Sequence, residues 1–293
     1  MKNKIYDCIT FFQENLQAEL RFNILDEVVD QFIVCESRYD HRGLEKSINF
    51  DKTIFSKFKN KINHLILEDK FPPKNIPWEN QAFQREYIFQ GLKDADENDL
   101  IMFSDPDEIP NPKKLKNIKM ENKYAIFIQN MYTYKINLFN QYESPWEGTR
   151  ICKKKDLKSI DWLRQKILAK NSKYPFWRID KETDVTLIEN GGWHFNYLLT
   201  PEQISKKLKS LAATQWDFGE NLTKEEFLNI KNINEKIKSH RDLFNRKHTY
   251  KKITVNNSFP EYIWGQLRTR FHWGVYNVPI CLHGLQESLR KGR

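Results

Sequence analysis

The sequence predicts an α/β fold: a mainly parallel, twisted sheet flanked by helices. Two observations carry this expectation. In the first hundred residues, short apolar runs alternate with segments of helical spacing, the pattern of parallel strands joined by right-handed crossovers. The runs are also short, unbroken and bounded by polar residues or proline, as strands buried on both faces are. Composition agrees. With 293 residues, 39% of them hydrophobic and 14% aromatic, the chain can bury a sizeable core and is not a disordered polymer.

Ile5 to Phe12 reads as the first strand. Leu16 to Val29 is helical by spacing, with Leu20, Ile24, Leu25 and Val28 apolar. Phe32-Ile-Val-Cys35 is a second strand ending at Glu36, and a polar loop runs from Ser37 to Lys46. Ile62 to Leu67 is the third strand, and the Pro-rich stretch Phe71 to Trp78 is a loop. Glu79 to Ala95 reads as a helix, Leu100 to Phe103 as the fourth strand, and Pro110 and Pro112 then break the alternation. Tyr124 to Leu138 is β-rich, as two strands or one long bent one. Asp156 to Lys170 is helical, and Val185 to Ile188 is a short strand leading into Glu189-Asn-Gly-Gly-Trp-His-Phe-Asn196. Thr200-Pro-Glu-Gln203 and Thr223-Lys-Glu-Glu226 carry the capping signature of helix starts. Mixed helix and loop follow, ending in the charged tail Glu287 to Arg293. The expected division is a main domain over residues 1-245 and a helix/loop extension over 246-293.

The net charge of +9 comes partly from lysine runs at 113–119, 153–158, 206–209 and 246–252. They are scattered and no nucleic-acid motif accompanies them, so they read as solvated faces, with some cations available to an anionic ligand such as a nucleotide diphosphate. The four cysteines are widely spaced, which points to neither a zinc site nor a disulfide framework but to a reducing, cytoplasmic setting. No run reaches transmembrane length, although peripheral contact with a lipid-linked acceptor is compatible with the chain. Gly-rich dinucleotide and phosphate loops, the nucleophile elbow and the zincin motif are all absent.

Chemistry concentrates in Asp99-Leu-Ile-Met-Phe-Ser-Asp-Pro-Asp-Glu-Ile-Pro110. Open α/β sheets bind ligands at the carboxyl ends of their strands. In an extended segment residues i and i+2 point the same way, so Asp105 and Asp107 converge on one hard cation, Mn²⁺ or Mg²⁺, that holds a diphosphate. Glu108 adds a third acid. Gly191-Gly-Trp-His194 supplies Trp193 as a stacking face and His194 as metal ligand, phosphate donor or base. Arg85 is placed to meet either an acid of the cluster or a phosphate. Glu36 stands where nucleotide-binding sheets put an acid on a ribose hydroxyl. Asp7 is a further ligand candidate whose place inside its strand favours a structural role.

The segments Ile5 to Phe12, Phe32 to Glu36, Gly91-Leu-Lys-Asp-Ala95, Asp99 to Pro110 and Gly191 to Phe195 together resemble glycosyltransferase family 17. Pro106 departs from the small residue or Val usual between the two Asp residues, but keeps the chain extended. The resemblance implies a GT-A-like nucleotide-sugar-binding fold, a UDP-sugar donor with UDP-N-acetylglucosamine foremost, a divalent cation, a glycan acceptor and inversion at the anomeric carbon. It matches Asp105 and Asp107 to the metal and diphosphate motif and makes His194 an additional ligand. A carboxylate then serves as general base, with Glu108, Glu189 and Asp217 as candidates. The alternatives are a metal-dependent nucleotidyl- or phosphotransferase, or a non-catalytic carbohydrate- or nucleic-acid-binding module.

Overall fold

The computed structural model describes residues 3–175, 177–210 and 224–264. The capping residue Thr223, Asp217, Cys281 and the tail Glu287 to Arg293 lie outside the described residues.

Among the described residues, ten strands form one sheet: β1 (Ile5–Phe11), β2 (Gln31–Ser37), β3 (Ile62–Leu67), β4 (Leu100–Ser104), β5 (Glu108–Pro110), β6 (Tyr124–Thr133), β7 (Leu138–Phe139), β8 (Trp146–Lys153), β9 (Val185–Asn196) and β10 (Lys251–Lys252). Their order is β3-β2-β1-β4-β8-β6-β7-β10, with β9 attached to β6 and β5 to β9. The first four strands are parallel, as their continuous apolar runs predict. Beyond β4 the sheet becomes mixed: β8 runs antiparallel to both β4 and β6, while β9 is parallel to β6.

Alternating side chains feed two cores. Ile5, Ile9, Phe32, Val34, Leu100 and Met102 face α1 (Asn15–Leu25) and the rings of Phe50, Phe55 and Phe58. Tyr6, Cys8, Ile33, Cys35, Ile101 and Phe103 face the opposite layer, built from α2 (Pro77–Glu86) with its following turn. Two further helices are α3 (Pro112–Lys116) and α4 (Ile160–Lys166), and α4 buries Ile160 and Leu163 in that second core. A third cluster joins Tyr134, Tyr197 and Leu243 to α5 (Pro201–Ser210), α6 (Lys224–Phe227) and α7 (Ile230–Ser239).

Three elements differ from expectation for local reasons. The helix expected over Glu79 to Ala95 ends at Glu86 and tightens into a 3₁₀ turn, Tyr87–Gly91. There the backbone presses onto β2 so closely that a Cβ on Gly91 would stand 2.7 Å from Ile33 Cγ2. The helix expected over Asp156 to Lys170 is confined to α4, where Ser159 caps it by accepting from the Trp162 amide at 3.0 Å. The strand expected over Val185 to Ile188 instead continues to Asn196, because its register against β6 shifts between Phe127 and Gln129 and the glycines absorb the shift. Gly192 has φ +141°, and a Cβ there would lie 2.2 Å from the carbonyl oxygen of Ile109.

That close approach seats β9 on β5, with Glu108 opposite His194 and Ile109 opposite Trp193. Gly192→Ala therefore combines a strained backbone with a clash against main chain and costs roughly 2–3 kcal/mol or more. Gly43 also has a positive φ, +81°, but open space around it, so Gly43→Ala costs about 1 kcal/mol or less. Urea denaturation of the two variants measures the difference.

Candidate active site

β4 ends at buried Ser104, and the chain turns at Pro106 before entering β5 instead of staying extended as expected; the Glu108 amide closes the turn by donating to the Asp105 carbonyl at 3.0 Å, so the two Asp side chains are brought to one cleft by a turn and not by strand alternation. The turn is held from below by Arg21 of α1. This guanidinium is fully buried. It donates to both Asp7 oxygens at 2.6 Å, to Ser104 Oγ at 2.9 Å and to the Glu108 carbonyl at 2.7 Å. Asp7 is thus the counter-ion of a structural arginine and does not face a ligand, which corrects its candidacy.

The carboxylates of the turn meet cations from three helices and one strand, with Arg164 shared between two of them. Glu108 is completely buried. It accepts from Trp146 Nε1 at 2.7 Å, from Arg164 of α4 at 2.8 and 3.2 Å, and from the Asp105 amide at 3.2 Å. With every lone pair directed at a donor and no path to solvent, Glu108 braces the turn and is unavailable as a general base. Arg164 also donates to Asp105 Oδ2 at 2.7 Å, while Arg85 approaches Asp105 Oδ1 at 3.8 Å and binds Asp161 at 2.7 Å. Burial raises the Asp105 pKa, but the two arginines more than offset it and hold it below the usual range. Arg85 thereby meets the acid cluster, one of its two expected partners.

Asp107 is paired differently. Its Oδ1 lies 3.5 Å from His194 Nε2 and its Oδ2 3.6 Å from Lys207 Nζ of α5. Burial opposes its ionisation, yet Lys207 and His194 keep it well below the ordinary carboxylate range. Burial in turn works against His194 and Lys207, and is outweighed by Asp107 for the histidine and by Glu14 and Asp107 for the lysine; both titrate above their usual values. Lys207 reaches Glu14 at 3.0 Å. It belongs to a run read as a solvated face, but only its neighbours fit that reading.

Asp107, His194, Lys207 and Glu14 line a cleft of about 230 Å³ at the carboxyl ends of the parallel strands, with Tyr39, His41 and Gln84 also in its lining. Asp105, Asp107 and His194 all reach it. Trp193 does not: successive residues of a strand face opposite ways, and Trp193 is packed in the core with its Nε1 donating to the Ser258 carbonyl at 3.1 Å. Glu36 is also absent from the cleft. It is buried beneath the 46–50 loop, accepting from Lys46 Nζ at 2.7 Å and from the Asn49 and Phe50 amides at 2.8 and 3.0 Å. Glu189 is exposed at the β9 bulge and does not line the cleft, which removes it as a base; Asp217 lies outside the described residues.

Among the described residues, no three His, Cys, Asp or Glu side chains converge to hold a metal by themselves. His194 is the ion-pair partner of Asp107 rather than the third member of such a group. The acids do suit a hard cation shared with a ligand. Asp105 Oδ1 and both Asp107 oxygens stand 3.5–3.8 Å from their cations, beyond tight hydrogen-bonding distance. A small divalent ion needs only one or two carboxylates when phosphate oxygens complete its shell.

The model of glycosyltransferase family 17 matches residues 1–259. The human protein named beta-1,4-mannosyl-glycoprotein 4-beta-N-acetylglucosaminyltransferase is 25% identical over 237 residues, covering 73% of this chain and 44% of that protein. The rat protein of the same name is 24% identical with the same coverage. The chain therefore spans less than half the length of these relatives. Among solved structures, S. aureus TarS 1-349 aligns over 80% of this chain and 72% of its own, with 12% identity and a TM-score of 0.33. A glycosyltransferase involved in glycosylation of the major capsid of PBCV-1 aligns over 64% and 82%, with 11% identity and a TM-score of 0.30.

The Arg164–Glu108 pair is open to a double-mutant cycle. Arg164→Met strips Asp105 of one of its two arginines, leaves the buried Glu108 carboxylate uncompensated, and costs about 3–5 kcal/mol. Adding Glu108→Leu removes that charge, so the double variant is more stable than Arg164→Met alone, as read from chemical denaturation.

Proposed function

The chain belongs to glycosyltransferase family 17, and from that membership we propose that it transfers a sugar from a UDP-sugar to a hydroxyl of a glycan acceptor, with inversion. N-acetylglucosamine is the sugar to which the relatives' name points. The observation that carries the reading is the β5–β9 ladder, which brings Asp105, Asp107 and His194 to one cleft already furnished with Lys207. An enzyme that releases a nucleoside diphosphate needs positive charge where the leaving group's charge develops.

In this reading the nucleoside lies along the wall of Tyr39 and His41, and the diphosphate rests over Asp105 and Asp107. Those two acids would hold Mn²⁺ or Mg²⁺ together with phosphate oxygens. When bound, the ion neutralises charge on the departing diphosphate. Lys207 Nζ and His194 give further donors to the phosphates. Arg164 and Arg85 hold Asp105 in its ionised form. The acceptor oxygen bonds to the anomeric carbon as the bond from that carbon to the diphosphate oxygen breaks. The electron pair leaves with UDP, and the hydroxyl proton passes to a base of the cleft. The family match favours this chemistry over nucleotidyl transfer and over a non-catalytic binding module.

Asp107→Ala is the direct probe. It is expected to weaken Mn²⁺-dependent UDP binding by at least tenfold, about 1.4 kcal/mol, and to suppress UDP-sugar hydrolysis. Unchanged UDP affinity in the presence of the metal contradicts the assignment of Asp107. Glu189→Gln, on the exposed bulge, is expected to leave both quantities within twofold of the parent.

A further inference from the structure

A second cavity, of about 530 Å³, lies on the far side of His194, Asn196 and Tyr197, which also line the first. It is within the ~300–1,000 Å³ range of small-molecule sites. Its lining differs in character from that of the first cleft. The rings of Trp146, Tyr197 and Phe244 contribute apolar faces. Glu143 and Arg246 contribute polar ends, joined at 2.8 Å, with the Glu143 side chain 28% and the Arg246 side chain 40% exposed. Arg246 is held from behind by buried Asp242, at 2.7 and 3.0 Å. Glu143 Oε2 accepts from Asn140 Nδ2 at 2.8 Å, which fixes the carboxylate.

The charge balance selects the kind of ligand. Among the lining side chains Glu143 and Asp242 are acidic and Arg246 and His194 basic, so the cavity offers no net positive charge to an anion. Flat rings with a neutralised acid–guanidinium pair at the edge suit a neutral, hydroxyl-rich ring. The rings cover the apolar C–H face, and the carboxylate accepts while the guanidinium donates to neighbouring hydroxyls. We infer that this second cavity binds the acceptor as a neutral saccharide, oriented by Glu143 and Arg246, with His194, Asn196 and Tyr197 forming the wall across which acceptor and donor meet. This inference rests on the glycosyl-transfer reading and extends it to the other substrate.

The test titrates the full chain with four neutral methyl glycosides, those of glucose, mannose, galactose and N-acetylglucosamine, and with methyl glucuronide as the anionic contrast. Saturation-transfer NMR reads binding, with and without UDP. The variants are Phe244→Ala, which removes a ring face, and Glu143→Gln, which keeps shape and removes charge. Thermal unfolding checks that each is folded, and Glu143→Gln alone decides if Phe244→Ala is not. The expected result is millimolar binding of at least one neutral glycoside, weakened fivefold or more by each folded variant while UDP affinity stays within twofold. No glycoside binding, binding indifferent to the variants, or tighter binding of the glucuronide overturns the proposal. Failure of UDP to bind the parent protein strikes the donor reading instead, because the glycoside titration is also run without UDP.

Discussion

Crowding three carboxylates into four residues at the end of a strand is unfavourable unless cations reach them, and the architecture around Asp105, Asp107 and Glu108 is organised by that requirement. The compensating charges come from separate elements: Arg85 from α2, Arg164 from α4, Lys207 from α5 and His194 from β9. Arg21 of α1 neutralises none of the three but grips the Glu108 carbonyl and so fixes the turn on which they sit. Removing one member of a buried pair strands the other in a poorly solvating interior, which makes these contacts mutually dependent. The helices on both faces of the sheet are thereby tied to one edge of it.

The compensation is uneven, and the unevenness sorts the acids by role. Glu108 is saturated and inaccessible, so it acts on the site only through the positions of Trp146 and Arg164. Asp105 is gripped on one oxygen and loosely approached on the other. Asp107 is loosely approached on both. A ligand that brings its own phosphate oxygens and a divalent ion finds coordination sites on the two loosely held acids and hydrogen-bond donors around them. The edge is therefore rigid in its framework and open where a diphosphate is to be held.

The parallel half of the sheet was legible in the sequence because a strand buried on both faces must be apolar throughout, whatever surrounds it. The Asp105–Asp107 pair was legible as acids at the carboxyl end of a buried strand, and its association with His194 through the family resemblance. What escaped was the identity of the partners. Asp7 is answered by Arg21 fourteen residues later, and Glu108 by Arg164 fifty-six residues later, on a helix whose position follows from tertiary packing. Trp193 was misread because facing is settled by strand pairing, and its seat opposite buried Ile109 on β5 follows from tertiary packing. Glu36 was misread because the loop that covers it carries no regular pattern. A signal did exist for two of the missed cations. Arg21 falls on the same helical face as Ala18, Ile24 and Leu25, and Lys207 on the same face as Ile204 and Leu208, places where a charge has reason to be only if it meets one.

The central claim is that the loosely paired acids at the end of β4 hold a donor's diphosphate through a shared divalent ion. Crystals of the full chain grown with UDP and Mn²⁺, with anomalous differences recorded for manganese, test it most directly. The account predicts one manganese peak at bonding distance from an Asp107 oxygen and from the UDP phosphates, with Lys207 and His194 facing the same phosphates. UDP bound away from Asp107, or manganese coordinated without any contact to Asp105 or Asp107, would contradict it.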